Sequence, residues 1–247
     1  MSQTTGASFR VFRWRQGDEA PHYDTFQVQT SPDTTVLEAL LGIRTHQDPS
    51  LTLRHSCLHA SCGTCGMRVN GREVLACVTP VAPLTEPVVV EPLANLPVVS
   101  DLVVDMGDFY AHLAPSGRPL VRASELVAGS PGGSRFEDCL ECGLCVSACP
   151  VGGSDPAYLG PAALAATWRV VAEPRGADPV AVLDRVDDQN GCWRCHVAME
   201  CSRVCPAGVD PAGAIMSLRH ELVRRHLGGR RRPSRRRPDA KAKGVAP

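Results

Sequence analysis

Aromatic side chains are scarce in this chain: Phe, Tyr and Trp together make up 4% of its 247 residues. Proteins that grip single-stranded nucleic acid stack bases on such rings, so the shortage weighs against that class. Long apolar runs are missing too. No stretch approaches the roughly 18–20 apolar residues of a membrane-spanning helix, so the chain is expected to be soluble by itself or held by partners. The start, Met1 to Ser8, is polar and has neither the basic nor the apolar region of a secretory signal. Net charge is absent, with 26 basic and 26 acidic residues, but the balance conceals a division. Before Arg219 there are 15 Lys/Arg against 24 Asp/Glu, and from Arg219 onward 11 against two. Such an end reads either as a solvated tail or as a patch for anionic lipid or nucleic acid.

Cysteine, by contrast, is abundant, with 12 in all. With no secretory signal, that number points to metal rather than disulfides. The length allows two modest domains, each with its own core. Cys139-Leu-Glu-Cys142-Gly-Leu-Cys145-Val-Ser-Ala-Cys149-Pro150 has the C-x2-C-x2-C-x3-C-P spacing by which bacterial ferredoxins hold cubane iron–sulfur clusters. The frame recurs 56 residues on as Cys195, Ala198, Cys201, Cys205 and Pro206, one thiol short. In two-cluster ferredoxins the fourth Cys of each run serves the other run's cluster. Crossing over in this way gives Cys139, Cys142, Cys145 and Cys205 as four thiolates for a 4Fe–4S cluster. Cys149, Cys195 and Cys201 supply only three, because Ala198 cannot bind iron. A cubane with an unligated corner tends to lose that iron, so a 3Fe–4S cluster is expected there.

Nearer the start, Cys57, Cys62 and Cys65 followed by Cys77 give the C-x4-C-x2-C…C spacing of a plant-type 2Fe–2S cluster. A loop can wrap three thiolates around the irons while a neighbouring strand brings the fourth. Gly63 and Gly66 suit a backbone folded closely over a cluster. Four cysteines also suit zinc, but these spacings differ from the paired C-x2-C knuckles of zinc sites. Cys57-Leu-His59 hints at a Rieske centre, yet all four ligand positions are Cys, which leaves His59 an ordinary loop residue.

Around these loops the chain reads as two architectures. Residues 8–15 and Tyr23–Thr30 alternate like the strands of a hairpin. Ser31 to Asp33 offers a cap for a helix through Leu41, with Val36, Leu37, Leu40 and Leu41 inward. A second hairpin turns at Asn70-Gly71 and leads into Cys77, and Val88–Glu91 is a further strand. This order is expected of an α+β, ubiquitin-like (β-grasp) plant-type ferredoxin domain, residues 1–102. Residues 92–100 read as an extended exit, and Asp101 to Leu113 as the helix opening the second domain. A loop with Pro131-Gly-Gly133 delivers the first cysteine run. Helices at 161–172, 179–186 and 211–227 then describe an all-α two-cluster ferredoxin-like domain, residues 103–229. Residues 230–247 have nothing to bury and form the basic tail, expected to be mobile.

The order of these three cysteine patterns resembles the iron–sulfur subunit of succinate dehydrogenases (succinate:quinone oxidoreductases) and fumarate reductases, over roughly Phe9 to Val223. Arg54-His-Ser-Cys57, Cys62-Gly-Thr-Cys65, Glu91-Pro-Leu-Ala-Asn-Leu-Pro, Asp101-Leu-Val-Val-Asp105 and Gly160-Pro-Ala-Ala carry it further. The resemblance implies the same division of eleven cysteines among the three clusters. It also implies a flavoprotein partner whose FAD oxidises succinate, and a membrane anchor that holds quinone on the cytoplasmic face of a bacterial inner membrane. Pro150, His196 and Val197 match residues beside the quinone in the family, with His196 placed for a proton or hydrogen-bond role or else an inert surface His. Where ubiquinone-reducing members often carry Trp, this chain has Ser154, so it looks closer to menaquinone-linked or fumarate-reducing relatives. Cys192 stands outside the usual set. It is either a free thiol or a substitute for the thiol missing at Ala198. Electron flow from succinate to quinone and the reverse flow to fumarate are both open. A zinc-stabilised nucleic-acid-binding protein is the reading from a different class.

Overall fold

The computed structural model describes residues 5–116, 138–173 and 179–228. The expected Pro131-Gly-Gly133 loop and the basic tail beyond 229 lie outside the described residues.

Strands β1 (Thr5–Arg13) and β2 (His22–Thr30) pair antiparallel in register from Thr5↔Thr30 to Arg13↔His22. Alternation turns Ala7, Phe9 and Val11 inward, where all three are buried. Helix α1 (Val36–His46) covers that face with Val36, Leu37, Leu40 and Ile43. Its cap is Thr35 and not the Ser31–Asp33 stretch expected from sequence. The Thr35 hydroxyl accepts the Glu38 N–H at 3.2 Å, while the Glu38 carboxylate accepts the Thr35 N–H at 2.8 Å. This reciprocal pair satisfies two helix-end donors and outcompetes Ser31. Strands β3 (Gly66–Val69) and β4 (Arg72–Leu75) form the expected hairpin. Its turn needs two left-handed residues, and Asn70 (φ 48°) and Gly71 (φ 76°) supply them. Strand β5 (Val88–Glu91) runs parallel to β1 and antiparallel to β3, giving the sheet order β2-β1-β5-β3-β4.

The helix expected over Asp101–Leu113 is only partly present. Strands β6 (Val98–Ser100) and β7 (Val103–Val104) make a small hairpin, and the helix, α2, is confined to Gly107–Leu113. Asp101 decides this. It sits at the hairpin turn with φ 46° and is wholly buried. Its carboxylate accepts Arg13 Nε–H at 3.1 Å, the Trp14 N–H at 3.2 Å and the Thr52 N–H at 2.9 Å. A carboxylate committed to the end of β1 and to the segment at Thr52 cannot also begin a regular helix. Arg13 is the other half of this clasp. It takes an inward position on β1, is 6% exposed, and also pairs with Asp24 and Asp48. Hydrogen bonds from Ser50 and from Arg13 hold the Asp48 carboxyl down at about 2.

Beyond β7, all the regular elements among the described residues are helical. Helix α3 (Leu144–Ser147) and helix α6 (Glu200–Arg203) belong to the two cysteine runs. Helices α4 (Gly160–Ala172), α5 (Val180–Val186) and α7 (Pro211–Leu227) pack around them. Every residue from Gly160 to Thr167 is buried, so the first two turns of α4 are surrounded on all sides. Its Ala-rich sequence lets neighbours approach closely. Against it, α7 buries Ile215, Leu218 and Leu222, each contributing about 1.5–3 kcal/mol of burial energy. The two halves share apolar ground: Leu144 and Ala162 sit in the same core as Phe9 and Met67.

Removing one partner of a buried pair strands the other charge, at roughly 3–5 kcal/mol. Arg13→Met is therefore expected to lower the thermal midpoint of the full chain by several degrees, measured by calorimetry. An unchanged midpoint would show that the clasp around Asp101 is dispensable.

Candidate metal centres

The first set of thiols lies in the loop before β3 and at its partner strand's end. Cys77 occupies a short 3-10 turn (Ala76–Val78) directly after β4, and the Ala76 N–H bonds the Cys65 carbonyl at 3.2 Å. That bond draws the fourth thiol to the loop. Leu58, Ala60 and Gly63 all have positive φ, and this reversal turns backbone N–H groups towards sulfur. The Ser61 and Cys62 N–H groups each point at Cys57 Sγ at 3.3 Å, and the Ala60 N–H at Cys77 Sγ at 3.3 Å. The Thr64 hydroxyl reaches Cys62 Sγ at 3.1 Å. Backbone N–H groups, led by that of His59, bring the Cys57 thiol down to about 7. Burial pushes Cys65 up to about 12, with Cys77 and Cys62 beside it. The donors aimed at Cys57, Cys62 and Cys77 favour negative sulfur, which the donor set of an iron–sulfur core requires.

The second and third sets share a backbone plan at the 56-residue offset seen in the sequence. Glu141 and Gly143 in the first run, and Val197 and Met199 in the second, are left-handed, with φ of 52°, 80°, 59° and 63°. A four-residue helix follows each pair, α3 and α6. The bonds Ser147 N–H to Gly143 O and Ala148 N–H to Leu144 O recur as Arg203 N–H to Met199 O and Val204 N–H to Glu200 O. Alternating right- and left-handed residues make a concave array of N–H groups that suits anions and iron–sulfur clusters. Each non-glycine residue held this way costs about 1–2 kcal/mol, so Glu141, Val197 and Met199 mark a constrained cradle.

The runs exchange their last cysteines. Burial raises Cys142 to about 11, with Cys139 and Cys205 adding to it. Cys139, Cys142, Cys145 and Cys205 line one pocket together with Leu140, Leu144 and Phe109. Burial likewise raises Cys201 to about 11, here with Cys149 and Cys195 as the neighbouring thiols. Cys145 stands between the groups, pushed well up by burial and by Cys142, Cys139, Cys201 and Cys205. Among the described residues no three His, Cys, Asp or Glu side chains close on one point to hold a single metal ion. Thiols grouped around a space fit a multi-iron core, whose ligands stand apart at its corners.

Two contacts fasten the N-terminal half to the first of the two cysteine runs. A Cβ on Gly63 would lie 2.6 Å from the Leu140 carbonyl oxygen and 2.8 Å from Cys142 Cβ. Gly63 is therefore required by close approach to the second loop as well as by its φ. Further along, the Asn95 amide donates to the carbonyls of Val146, Ser147 and Cys149 at 2.9, 3.0 and 2.8 Å. The N-terminal half thus fastens the end of α3, where Cys149 leaves for the third set.

Of the residues expected beside a quinone, Pro150, His196 and Val197 are all exposed and adjoin the third set. Trp193 and Met199 expose apolar surface next to them. Ala198 is exposed too. Cys192 is fully buried among Leu183, Val186 and Leu218, with burial raising its thiol to about 11. It packs as a small apolar side chain. Sequence reasoning passed over Tyr158, which is 4% exposed and lies against the third set, its hydroxyl pushed up by burial and by Cys195, Cys149 and Cys201. Nothing in the Pro156-Ala-Tyr158 stretch announces that place, apart from the rarity of aromatics.

Gly63→Ala and Gly208→Ala separate backbone strain from loop contact. Both glycines are left-handed, at φ 69° and 67°, but a Cβ on Gly208 meets nothing within 4 Å. Thermal melting is expected to show the larger loss for Gly63→Ala, and equal losses would remove the contact argument. Cys192→Ala is expected to leave the iron content per chain unchanged, and a fall in iron would make Cys192 a ligand.

Comparison with known proteins agrees with this geometry. Residues 8–111 match the 2Fe-2S iron-sulfur cluster binding domain family, and residues 135–209 the 4Fe-4S dicluster domain family. The chain is 41% identical over 218 residues to the fumarate reductase iron-sulfur subunit of Mycobacterium tuberculosis, covering 83% of this chain and 88% of that one. It is 35% identical over 229 residues to the succinate dehydrogenase iron-sulfur subunit of Paracoccus denitrificans, covering 88% of each. A chain of the Mycobacterium smegmatis Sdh1 complex in the apo form shares the fold, with a TM-score of 0.81 at 23% identity over 91% of this chain and 98% of that one. An N-terminal 2Fe–2S domain followed by a 4Fe–4S dicluster domain, with relatives of both names along nearly the whole length, leads to one conclusion: the chain belongs to the iron–sulfur subunits of succinate dehydrogenases and fumarate reductases.

Proposed function

We propose that this chain carries single electrons between the FAD of a flavoprotein subunit and a quinone at a membrane anchor, as the iron–sulfur subunit of a succinate:quinone oxidoreductase. Bound clusters would supply the one-electron redox chemistry that divides a two-electron oxidation into single steps. Cys57, Cys62, Cys65 and Cys77 would hold the 2Fe–2S cluster. Cys139, Cys142, Cys145 and Cys205 would hold the 4Fe–4S cluster, and Cys149, Cys195 and Cys201 the 3Fe–4S cluster. One observation carries the reading: the three thiol sets are neighbours in sequence, the first loop touching the second at Gly63 and Leu140, and Cys201 of the third lying among the thiols around Cys145.

The chain's own residues do the rest. Backbone N–H groups at Cys57, Cys77, Cys195 and Cys205 stabilise negative sulfur. Leu144, Phe109 and the alanines of α4 keep water from the middle set. At the far end the exposed stretch Trp193–Met199 offers the apolar surface that an anchor subunit and a quinone ring would cover, with Pro150, His196 and Val197 beside them. His196 is there to bond or protonate the quinone. The absence of an aromatic residue at Ser154 supports menaquinone. Among the described residues no helix is long and apolar enough to cross a membrane, which suits a peripheral subunit on the cytoplasmic face of a bacterial inner membrane. The basic tail would meet anionic headgroups there. The mixed sheet with α1 across it supports a β-grasp ferredoxin over residues 1–102, and residues 103–229 would form the two-cluster domain.

The reverse direction, quinol-driven fumarate reduction, draws support from the 41% identity to the mycobacterial fumarate reductase subunit. Assays of the assembled complex in both directions decide between them.

In that complex, Cys149→Ser is expected to abolish quinone reduction by succinate while an artificial acceptor at the flavin is still reduced. Retained quinone reduction would refute the order of the three centres.

A further inference from the structure

Tyr158 closes the inner side of the third thiol set. Two backbone bonds fix its place between the cysteine runs. Its own N–H donates to the Asp155 carbonyl at 3.1 Å, and the N–H of Leu159 donates to the Asn190 carbonyl at 3.0 Å. Asp155 also pairs with Arg194 at 2.8 Å, one residue before Cys195. The exit of the first run is thereby tied to the turn that opens the second. The Tyr158 side chain is buried in the same cluster as Cys149, with Cys195 packed against it. A ring alone would fill that space, but a buried phenol also needs a partner for its hydroxyl. Here the partner is the Cys195 side chain. Burial and the thiols of Cys195, Cys149 and Cys201 keep the hydroxyl protonated, so it is the donor. On the open side, Cys195 Sγ receives the N–H of exposed Val197 at 3.3 Å. That sulfur thus has one donor at the surface and one in the interior.

We propose that Tyr158 is a positioning residue that acts through Cys195: its hydroxyl donates a hydrogen bond to that sulfur and so raises the reduction potential of the third centre. The inference rests on Cys149, Cys195 and Cys201 holding that centre. Reduction adds one electron, arriving from the second centre, and no covalent bond forms or breaks in this chain. Part of the added charge spreads onto the thiolate sulfurs. A donor already aimed at one of them bonds the reduced form more strongly than the oxidised form. Because Tyr158 is shielded from water, its bond gains more from that charge than a bond at the surface does.

The test is an EPR-monitored redox titration of the assembled complex carrying Tyr158→Phe, which keeps the ring and removes the donor. At a fixed potential the third centre is expected to shift at least threefold towards its oxidised form, about 28 mV for one electron. The first centre should not move. A second complex, with 3-fluorotyrosine in place of Tyr158, keeps the hydroxyl and makes it a stronger donor, so its third centre should shift towards the reduced form. An unchanged third centre in the phenylalanine variant overturns the proposal. So does a shift of the same sign in both complexes, or loss of the signal from both, each of which marks a side chain that only fills space. If phenylalanine alone loses the signal, the fluorotyrosine complex decides: a shift towards the reduced form supports the proposal, and no shift overturns it. Absence of a 3Fe–4S signal from the wild-type complex would instead refute the ligand assignment beneath the proposal.

Discussion

A four-residue helix carries the constraint on which the rest of the structure depends. Cys145 at its second position and Cys149 just past its end are one turn apart in sequence, yet they face different thiol groups. Any rotation of α3 would misplace both. The structure accordingly fixes it from three directions. Gly143 in the left-handed region starts it, with Leu93 and Met106 so near that a Cβ would lie 3.1 Å from the Met106 methyl. Asn95 gathers the carbonyls at its end. Ser147, 4% exposed, bonds Glu73 at 3.0 Å and accepts the Ala94 N–H at 2.9 Å. Glu73 belongs to β4 and Ala94 follows β5, so the sheet of the N-terminal half sets the orientation of a helix in the C-terminal half.

Strain is concentrated where sulfur must converge. Leu58, Ala60, Glu141, Val197 and Met199 hold a backbone shape that L-residues avoid, and each lies in a cysteine loop. Regular elements built on ordinary preferences compensate: the capping box of α1, the Asn70-Gly71 turn and the interlocked apolar faces of α4 and α7. The family's shared activity is thus written in a few distorted loops, while the strands and long helices supply the rigidity that keeps them distorted.

Much of this was legible in the sequence because cysteine spacing is local. The 56-residue offset is plain in the sequence, and its counterpart in paired left-handed residues and paired short helices repeats it bond for bond. The strands, the Asn70-Gly71 hairpin and the helices ending at Ala172 and Leu227 followed from periodicity and caps. Contacts between distant segments could not be read. Arg13 and Asp101 are 88 residues apart, and Asp101 looked like part of a helix because Val103, Val104, Met106 and Phe109 follow it. Gly63 suggested a turn from its position in the loop, but its contact with Leu140 and Cys142 depends on docking of the two halves. Arg219 looked like the first charge of a basic tail, whereas it bonds the carbonyls of Cys192 and Cys195.

The most direct test of the account is the EPR spectrum of the oxidised wild-type complex, with iron and acid-labile sulfide measured on the same sample. A 3Fe–4S signal that integrates to one spin per chain, in a brown protein containing iron and sulfide, is the expected result. A spectrum without that signal would contradict a third centre held by Cys149, Cys195 and Cys201, and zinc in place of iron would contradict all three centres.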